Sequence, residues 1–383
     1  MGTPPAGVTQ AHPPVDLDLA PLAALVAEAW GGPTPFRAEP MPGGASPRRY
    51  FRVHVPAHGA SAVAFFVPDA GRPDEIVKAG AGPRPVWPYL EVRQLLHERG
   101  VRVPALIADG SAGGWLLVED LGDETLAAFL AQNPARKAEV YRRAVLDLAR
   151  AQASLASLPE ASVVASRVFD EELLAWEIHH FREWALEARG AHFSADERER
   201  FDALAARLAR RIAAFPRHFV HRDYQSRNLM VCRPAAGAGA AGQDAAAGGE
   251  AAGDTIDLAW IDFQDALLGP RVYDLVALLN DSYQSFDRAF VEARLDEFAA
   301  AAGLGAEARA ELGVQFDLVT VQRKLKDAGR FLFIDRVKGN PSFLRFVEPT
   351  VQKARASLAR LEGDEDARAL AALVDGALAR VRP

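Results

Sequence analysis

Residues 221–230 read HRDYQSRNLM, so that Asp223 is followed by four residues and then Asn228, directly ahead of an apolar run. Further on, WIDFQDALLGPRVYDL closes a strand-like stretch on Asp262 and Phe263 and sets Asp274 where a helix-like stretch begins. A carboxylate such as Asp223 can take the proton of an incoming hydroxyl. The amide of Asn228 and the carboxylate of Asp262 are oxygen donors of the kind magnesium takes, and one or two protein ligands suffice when phosphates and water complete its octahedron. Together they supply what transfer of a phosphoryl group to a hydroxyl requires. Taken singly, each is equally a turn or cap residue; the ordered combination carries the reading.

Those side chains need a scaffold. After a Pro- and Gly-rich start over residues 1–15, expected to be disordered, LAPLAALVAEAW has helical spacing. RRYFRVHV and SAVAFFVP read as strands, VWPYLEVRQLLHERG as a helix closing on Gly100, and VPALIAD and GWLLVED as strands of a hairpin turning at GSAGG. From TLAAFLAQ onward the chain is helical. DEELLAWEIHHFREWALEARG reads as one long helix, and Phe201, Leu204, Leu208, Ile212 and Phe215 form one apolar stripe. The expected fold class is α+β and bilobal: a small antiparallel, β-rich N-terminal lobe (1–121) and a large, mostly helical C-terminal lobe (122–383). Residues 234–254 contain ten Ala and six Gly. They are expected to be a flexible insert in a hairpin between NLMV and DLAWID, since loop length costs little entropy.

Composition removes other classes. The chain has 383 residues, enough for two lobes, and a formal charge of −7 without a basic tract, which excludes nucleic acid as the expected partner. A single cysteine, Cys232, forms neither an intrachain disulfide nor a thiolate zinc site. No run approaches the roughly 20 apolar residues of a membrane span, and the N-terminus lacks a basic region followed by an apolar one. The expectation is a cytoplasmic protein without membrane contact.

The order HRD, four residues, Asn, then a strand-ending IDF, is the catalytic-loop arrangement of kinases. With TVQRKLKDAGRF, GGASPRRYFRV, LLVEDLGDETL and FREWAL, these segments resemble the aminoglycoside phosphotransferase/choline kinase superfamily over about residues 36–345. Within it they are most similar to bacterial N-acetylmuramate/N-acetylglucosamine anomeric kinases. The resemblance implies a protein-kinase-like fold and the use of ATP and Mg2+, with Asp223 as catalytic base and Asn228 and Asp262 as metal ligands. It also implies Glu119 and Leu121 as the backbone positions meeting adenine, Ser46 in the GGAS turn on the phosphate side, and Asp274 as a brace for the catalytic loop. His221 is expected to pack in the core, Arg222 to pair with an acid, and Asp265 to face solvent.

The sequence departs from the kinase pattern in one place. The third strand of a kinase small lobe carries a phosphate-gripping Lys, and AVAFFVP has none, while Glu91 on the next helix has no evident partner. Arg48, Arg49 and Arg227 are candidates to neutralise the phosphates, with Lys78 a lesser one; for Arg48 and Arg49 a solvated strand edge is an equal reading. The acceptor side would involve WEIHHFREWALEARG and the Gln322, Arg323, Lys324 stretch. One helix cannot point three successive residues the same way. The mixed charge of the first segment suits an amino sugar with at most one negative group. Trp176 and Trp184 are candidates for stacking on a sugar ring, with core packing expected for at least one. The partner expected is thus a small sugar phosphorylated at its anomeric hydroxyl. The alternatives are phosphotransfer to another hydroxylated small molecule, such as an aminoglycoside, or a nucleotide-binding module without turnover.

Overall fold

A computed structural model describes residues 17–42, 48–68, 86–232 and 256–381. The GGAS turn with Ser46, the loop with Lys78, residues 1–15 and the insert 234–254 lie outside the described residues. The chain divides into two compact units, residues 1–70 with 105–120, and residues 71–104 with 121–383.

The first unit is built on a five-stranded antiparallel sheet in the order β1-β2-β3-β5-β4, comprising β1 (Arg37–Pro40), β2 (Arg49–Val55), β3 (Ala60–Phe66), β4 (Leu106–Gly110) and β5 (Trp115–Glu119). Period-two alternation decides which face is buried: Val53 and Val55 of β2, and Ala62 and Ala64 of β3, point into a core completed by Trp115 and Leu117. Helix α1 (Ala20–Ala29) covers that face with Leu22, Leu25 and Val26. Arg52 on β2 meets Asp120, just past β5, through Nε at 2.9 Å and Nη2 at 3.2 Å.

The second unit begins with α2 (Pro88–Glu98), which ends where Gly100 adopts φ +76°, a left-handed conformation that lacks the Cβ penalty only for glycine. Glu91 does have a partner: it accepts from the Val163 N–H. Then come α3 (Leu126–Gln132), α4 (Lys137–Ser154), α5 (Glu171–His180) and α6 (Ala195–Ala213). A capping box between Ser194 and Glu197 starts α6, and Phe201, Leu204, Leu208 and Ile212 are its buried stripe. Two short ladders follow, β6 (Arg217–Val220) with β9 (Leu267–Pro270) and β7 (Leu229–Cys232) with β8 (Asp257–Trp260), both antiparallel. Helices α7 (Val272–Leu279), α8 (Arg288–Ala301), α9 (Ala306–Lys338), α10 (Val347–Arg360) and α11 (Glu365–Leu378) complete the unit.

Two features of these helices bear on the site. Every residue of α9 from Phe316 to Leu325 is buried, so the helix is covered on all sides there. Its polar residues in that stretch must therefore find partners inside the protein. Asp317 takes Arg288, Ser357 and Arg360. The second feature corrects the single long helix expected from residue 170 to 190. The helix proper stops at His180, a π-helical turn runs over Phe181–Leu186, and a 3-10 turn over Glu187–Arg189 ends it. The wide turn lies against Gly329 of α9, where an added Cβ would stand 2.5 Å from the His180 carbonyl oxygen and 2.7 Å from the Phe181 nitrogen.

Candidate active site

The β7–β8 ladder pairs Leu229 with Trp260 and Cys232 with Asp257. That register sets Asn228, just before β7, across from Ile261, just after β8. The Ile261 N–H donates to the Asn228 carbonyl at 3.0 Å, and Asp262 follows directly. One ladder thus brings side by side two motifs separated in sequence by the insert. On the other flank β6 ends at Val220, and the loop that opens with His221 leads to Asp223. Asn228 Nδ2 donates back to the Asp223 carbonyl at 2.9 Å, which holds the loop closed on itself. Asp223 and Asn228 therefore share one loop, and Asp262 begins the neighbouring one.

Both loops carry strain. Among the described residues only Arg222, at φ +79°, and Asp262, at φ +63°, are non-glycine residues with positive φ. Such conformations cost on the order of 1–3 kcal/mol and persist only where the surroundings impose them. For Arg222 the surroundings are plain. Asp274, fully buried on α7, accepts the His221 N–H at 2.6 Å and the Arg222 N–H at 3.0 Å, the bracing role expected of it. Burial pushes the Asp274 carboxyl up to about 7, while the two N–H donors and Arg323 pull the other way. The Arg222 guanidinium meets Glu177 at 3.3 Å, both side chains buried, as a charge out of water requires. Its carbonyl accepts from Arg323 Nη1 at 2.6 Å.

His221 is fully buried, in line with the core role expected of it. Nδ1 accepts the Asp223 N–H at 3.3 Å, so Nε2 is the protonated nitrogen and donates to the Ile261 carbonyl at 3.0 Å. The ring ties the Asp223 loop to the Asp262 loop. Burial lowers its pKa against the pull of Asp223 and Asp262, which favours the neutral ring.

Asp223 is the reactive candidate. Arg323 Nη2 donates to Oδ1 at 3.1 Å, and the Asp223 side chain is 37% exposed, so the carboxylate can be reached from solvent. Burial raises its pKa, but the cations Arg323, Lys326 and Arg222 outweigh that and hold it below the usual range. Asp223 is therefore an ionised and weak base at neutral pH. The three successive residues of α9 part as expected: Gln322 binds Glu177 at 2.8 Å, Arg323 reaches Asp223, and Lys324 binds Asp327 at 2.7 Å and Ser282 at 3.0 Å.

Among the described residues no group of three or more His, Cys, Asp or Glu side chains could hold a metal ion. The donor set fits magnesium in another way. With Asn228 Nδ2 committed to the loop backbone, Oδ1 accepts no hydrogen bond from the described residues and is available as a ligand. Asp262 is exposed, and Gln264 Nε2 holds one of its oxygens at 2.7 Å. One amide oxygen and one carboxylate suit a cation that draws most of its shell from phosphates and water.

The other sequence-derived residues fall elsewhere. Arg49 is exposed at the start of β2, opposite Phe66, and belongs with Glu119 to the first unit. The Glu119 N–H donates to the Ala105 carbonyl, and its carboxylate accepts the Ala105 N–H at 3.0 Å. Leu121 opens the second segment of the second unit. Arg227 is exposed, with its guanidinium 3.6 Å from the centroid of the Tyr283 ring. Asp265 is half-buried, with Oδ1 shielded from water, rather than turned to solvent. Trp176 packs on His180 and Trp184 on Phe333, both against the core of the second unit. Sequence reasoning passed over Asp281, fully buried, which accepts the Ser226 N–H at 3.0 Å and the Tyr283 N–H at 2.9 Å. Its only signal was a polar stretch, NDSYQS, after an apolar helix.

Comparison with known proteins agrees with this geometry. The profile of the phosphotransferase enzyme family (APH) matches residues 37–239. The chain is 31% identical to the N-acetylmuramate/N-acetylglucosamine kinase of Pseudomonas aeruginosa, over 88% of this chain and 90% of that one. It is 29% identical to the protein of the same name from Neisseria meningitidis, over 83% and 89%. In fold it is similar to the aminoglycoside phosphotransferase APH(2")-IIa solved with gentamicin, with a TM-score of 0.55, 11% identity and coverage of 89% and 96%. No helix among the described residues is long and apolar enough to cross a membrane. A strained HRD loop with a bracing aspartate, an asparagine and a strand-ending aspartate, in an α+β kinase-like fold, accords with these matches: the chain belongs to the phosphotransferase enzyme family (APH).

Proposed function

We propose that this enzyme transfers the γ-phosphoryl group of ATP to the anomeric hydroxyl of an amino sugar, N-acetylmuramate or N-acetylglucosamine, in the cytoplasmic reuse of cell-wall sugars. The observation that carries the reading is the state of Asp223: fixed by Arg323, reachable from solvent, and held ionised below the usual carboxylate range. Such a base is weak. The anomeric hydroxyl is the most acidic hydroxyl of a reducing sugar, so it is the one such a base serves best. The names of the relatives point to the same class of acceptor.

In this reading Asp223 orients the acceptor hydroxyl and takes its proton as the bond to phosphorus forms and the bond to the ADP oxygen breaks. Asn228 and Asp262 would hold magnesium, which when bound neutralises charge on the nucleotide phosphates. Arg49 and Ser46 would serve the donor phosphates in place of the absent small-lobe Lys. The backbone at Glu119 and Leu121 would meet adenine. Asp274, His221 and Arg222 hold the loop and touch no substrate.

The test is the product. Incubated with ATP, magnesium and either sugar, the enzyme should yield an acid-labile phosphate and block the reducing end. An acid-stable product with its reducing end intact, or transfer confined to an aminoglycoside or a choline-like alcohol, would overturn the assignment.

A further inference from the structure

Arg227 lies between Asp223 and Asn228 in the same loop. It is exposed, forms no ion pair with the described residues, and stacks on Tyr283 with its guanidinium 3.6 Å from the ring centroid. An arginine laid flat on an aromatic face keeps its N–H edge free for a carboxylate or phosphate while the face pays its ordering cost. Tyr283 belongs to an aromatic shelf: Phe346 meets it edge-on at 4.8 Å, Phe331 lies at 6.4 Å, and Phe343 stacks on Phe331 at 5.6 Å. The Tyr283 hydroxyl donates to none of the described residues. Burial pushes it up to about 12, helped by Asp327, Asp281 and Asp223 and opposed by Arg227, so it remains a neutral donor.

The arrangement is fixed from below. Asp281 spends one oxygen on the Ser226 N–H and hydroxyl and the other on the Tyr283 N–H, so a single buried carboxylate sets Arg227 beside Tyr283. Lys353 of α10 donates to the carbonyls of Asp281 and Gln284 and pins the same turn. With Arg227 over the Tyr283 ring and Phe331 nearly buried, the groups left to a ligand at this end of the Asp223 loop are the Tyr283 hydroxyl and the Arg227 N–H edge. A preorganised cation there suits a ligand with one carboxylate.

We propose that Arg227 and Tyr283 form the acceptor subsite, where the Tyr283 hydroxyl meets a sugar hydroxyl and Arg227 binds the lactyl carboxylate that N-acetylmuramate has and N-acetylglucosamine lacks. This rests on the sugar-kinase reading above and makes Arg227 a specificity residue for the acceptor instead of a phosphate ligand.

The test is steady-state kinetics of wild type, Arg227→Gln, Arg227→Lys and Tyr283→Ala on both sugars at saturating ATP. A charge-assisted bond to a carboxylate is worth about 1.5–3 kcal/mol, so Arg227→Gln should lower the ratio of kcat/KM for N-acetylmuramate over N-acetylglucosamine by about tenfold or more, mainly through KM. Arg227→Lys should recover part of that ratio, and Tyr283→Ala should raise KM for both sugars. If Arg227→Gln lowers both sugars equally and raises KM for ATP, Arg227 belongs to the donor and the inference is wrong. An unchanged ratio overturns it as well. If the wild type phosphorylates neither sugar, the sugar-kinase reading itself falls and takes this inference with it.

Discussion

Arg323 is the residue whose loss separates positioning from stability most clearly. It sits on α9, with a side chain only 3% exposed, and spends Nη1 on the Arg222 carbonyl at 2.6 Å and Nη2 on Asp223 Oδ1 at 3.1 Å. Three contacts hold Arg222 at φ +79°: Asp274 on its N–H, Glu177 on its guanidinium, and Arg323 on its carbonyl. Arg323→Gln removes the third. A buried bond from a charged donor to a carbonyl is worth about 1.5–3 kcal/mol. The bond to Asp223 reaches a partly exposed carboxylate, and screening reduces it to about 0–1 kcal/mol. The sum, about 1.5–4 kcal/mol, is comparable to the strain of order 1–3 kcal/mol stored at Arg222. The loop should therefore relax, and a displacement of order 1 Å in a reacting group costs about 100-fold in rate. The assay is kcat and KM for both substrates beside the thermal midpoint. We expect kcat to fall by that factor with the ATP KM changed only a few-fold, and Arg323→Lys, which recovers one of the two bonds, to lie between. A fall in thermal midpoint with kcat within a few-fold of wild type would refute the reasoning, since Arg323 would then be a packing residue only.

Three further outcomes follow from particular contacts. Gly329→Ala should destabilise by about 1–3 kcal/mol or more, because its Cβ would press on the backbone of His180 and Phe181, which cannot swing aside as a side-chain tip can; an unchanged thermal midpoint would show that the π-helical turn yields freely. His218 accepts from Arg271 Nε at 3.1 Å, and burial, with the Arg271 charge adding, lowers its pKa from 6.5 to about 4. The unfolded chain then binds that proton first, so His218 costs nothing above about pH 6.5 and costs progressively more as pH falls toward 4. Denaturation midpoints measured across that window should drop less for His218→Gln than for wild type, and parallel curves would contradict the assignment. Asp262→Ala should abolish the magnesium dependence of nucleotide binding in calorimetry, and unchanged affinity with and without magnesium would remove it from the metal site.

What the sequence revealed about the fold depended on distance along the chain. The hairpin at GSAGG, the helix ending on Gly100 and the stripe from Phe201 to Ile212 are local patterns that form as read, while Phe215, read into the same stripe, lies past the end of α6 and is only partly buried. The HRD loop and the Asp262 motif were also legible, because the spacing of short polar residues before and after strands survives any surroundings. Other features needed tertiary contacts. The π-helical turn over Phe181–Leu186 hides in a run that is helical in composition, and the glycine that admits it, Gly329, lies on another helix. Nothing local says which of Gln322, Arg323 and Lys324 faces Asp223, since all three are buried by different neighbours. Glu91 looked unpartnered because its partner is a backbone N–H, which has no sequence signature. Asp265 looked solvent-facing, yet its Oδ1 is shielded from water. Asp281 went unremarked because a lone aspartate in a polar stretch is the commonest of turn residues, and only its bonds to Ser226 and Tyr283 reveal that it ties the two together.

The most direct test of the account is Asp223→Asn, an isosteric change that removes the base and leaves the loop's backbone contacts in place. ATP binding, measured by calorimetry with magnesium, should stay near wild type, while turnover on the amino sugar should fall by about 10²–10⁴-fold. Near wild-type turnover in that variant would contradict the account, because the proton would then leave by a route that does not involve Asp223.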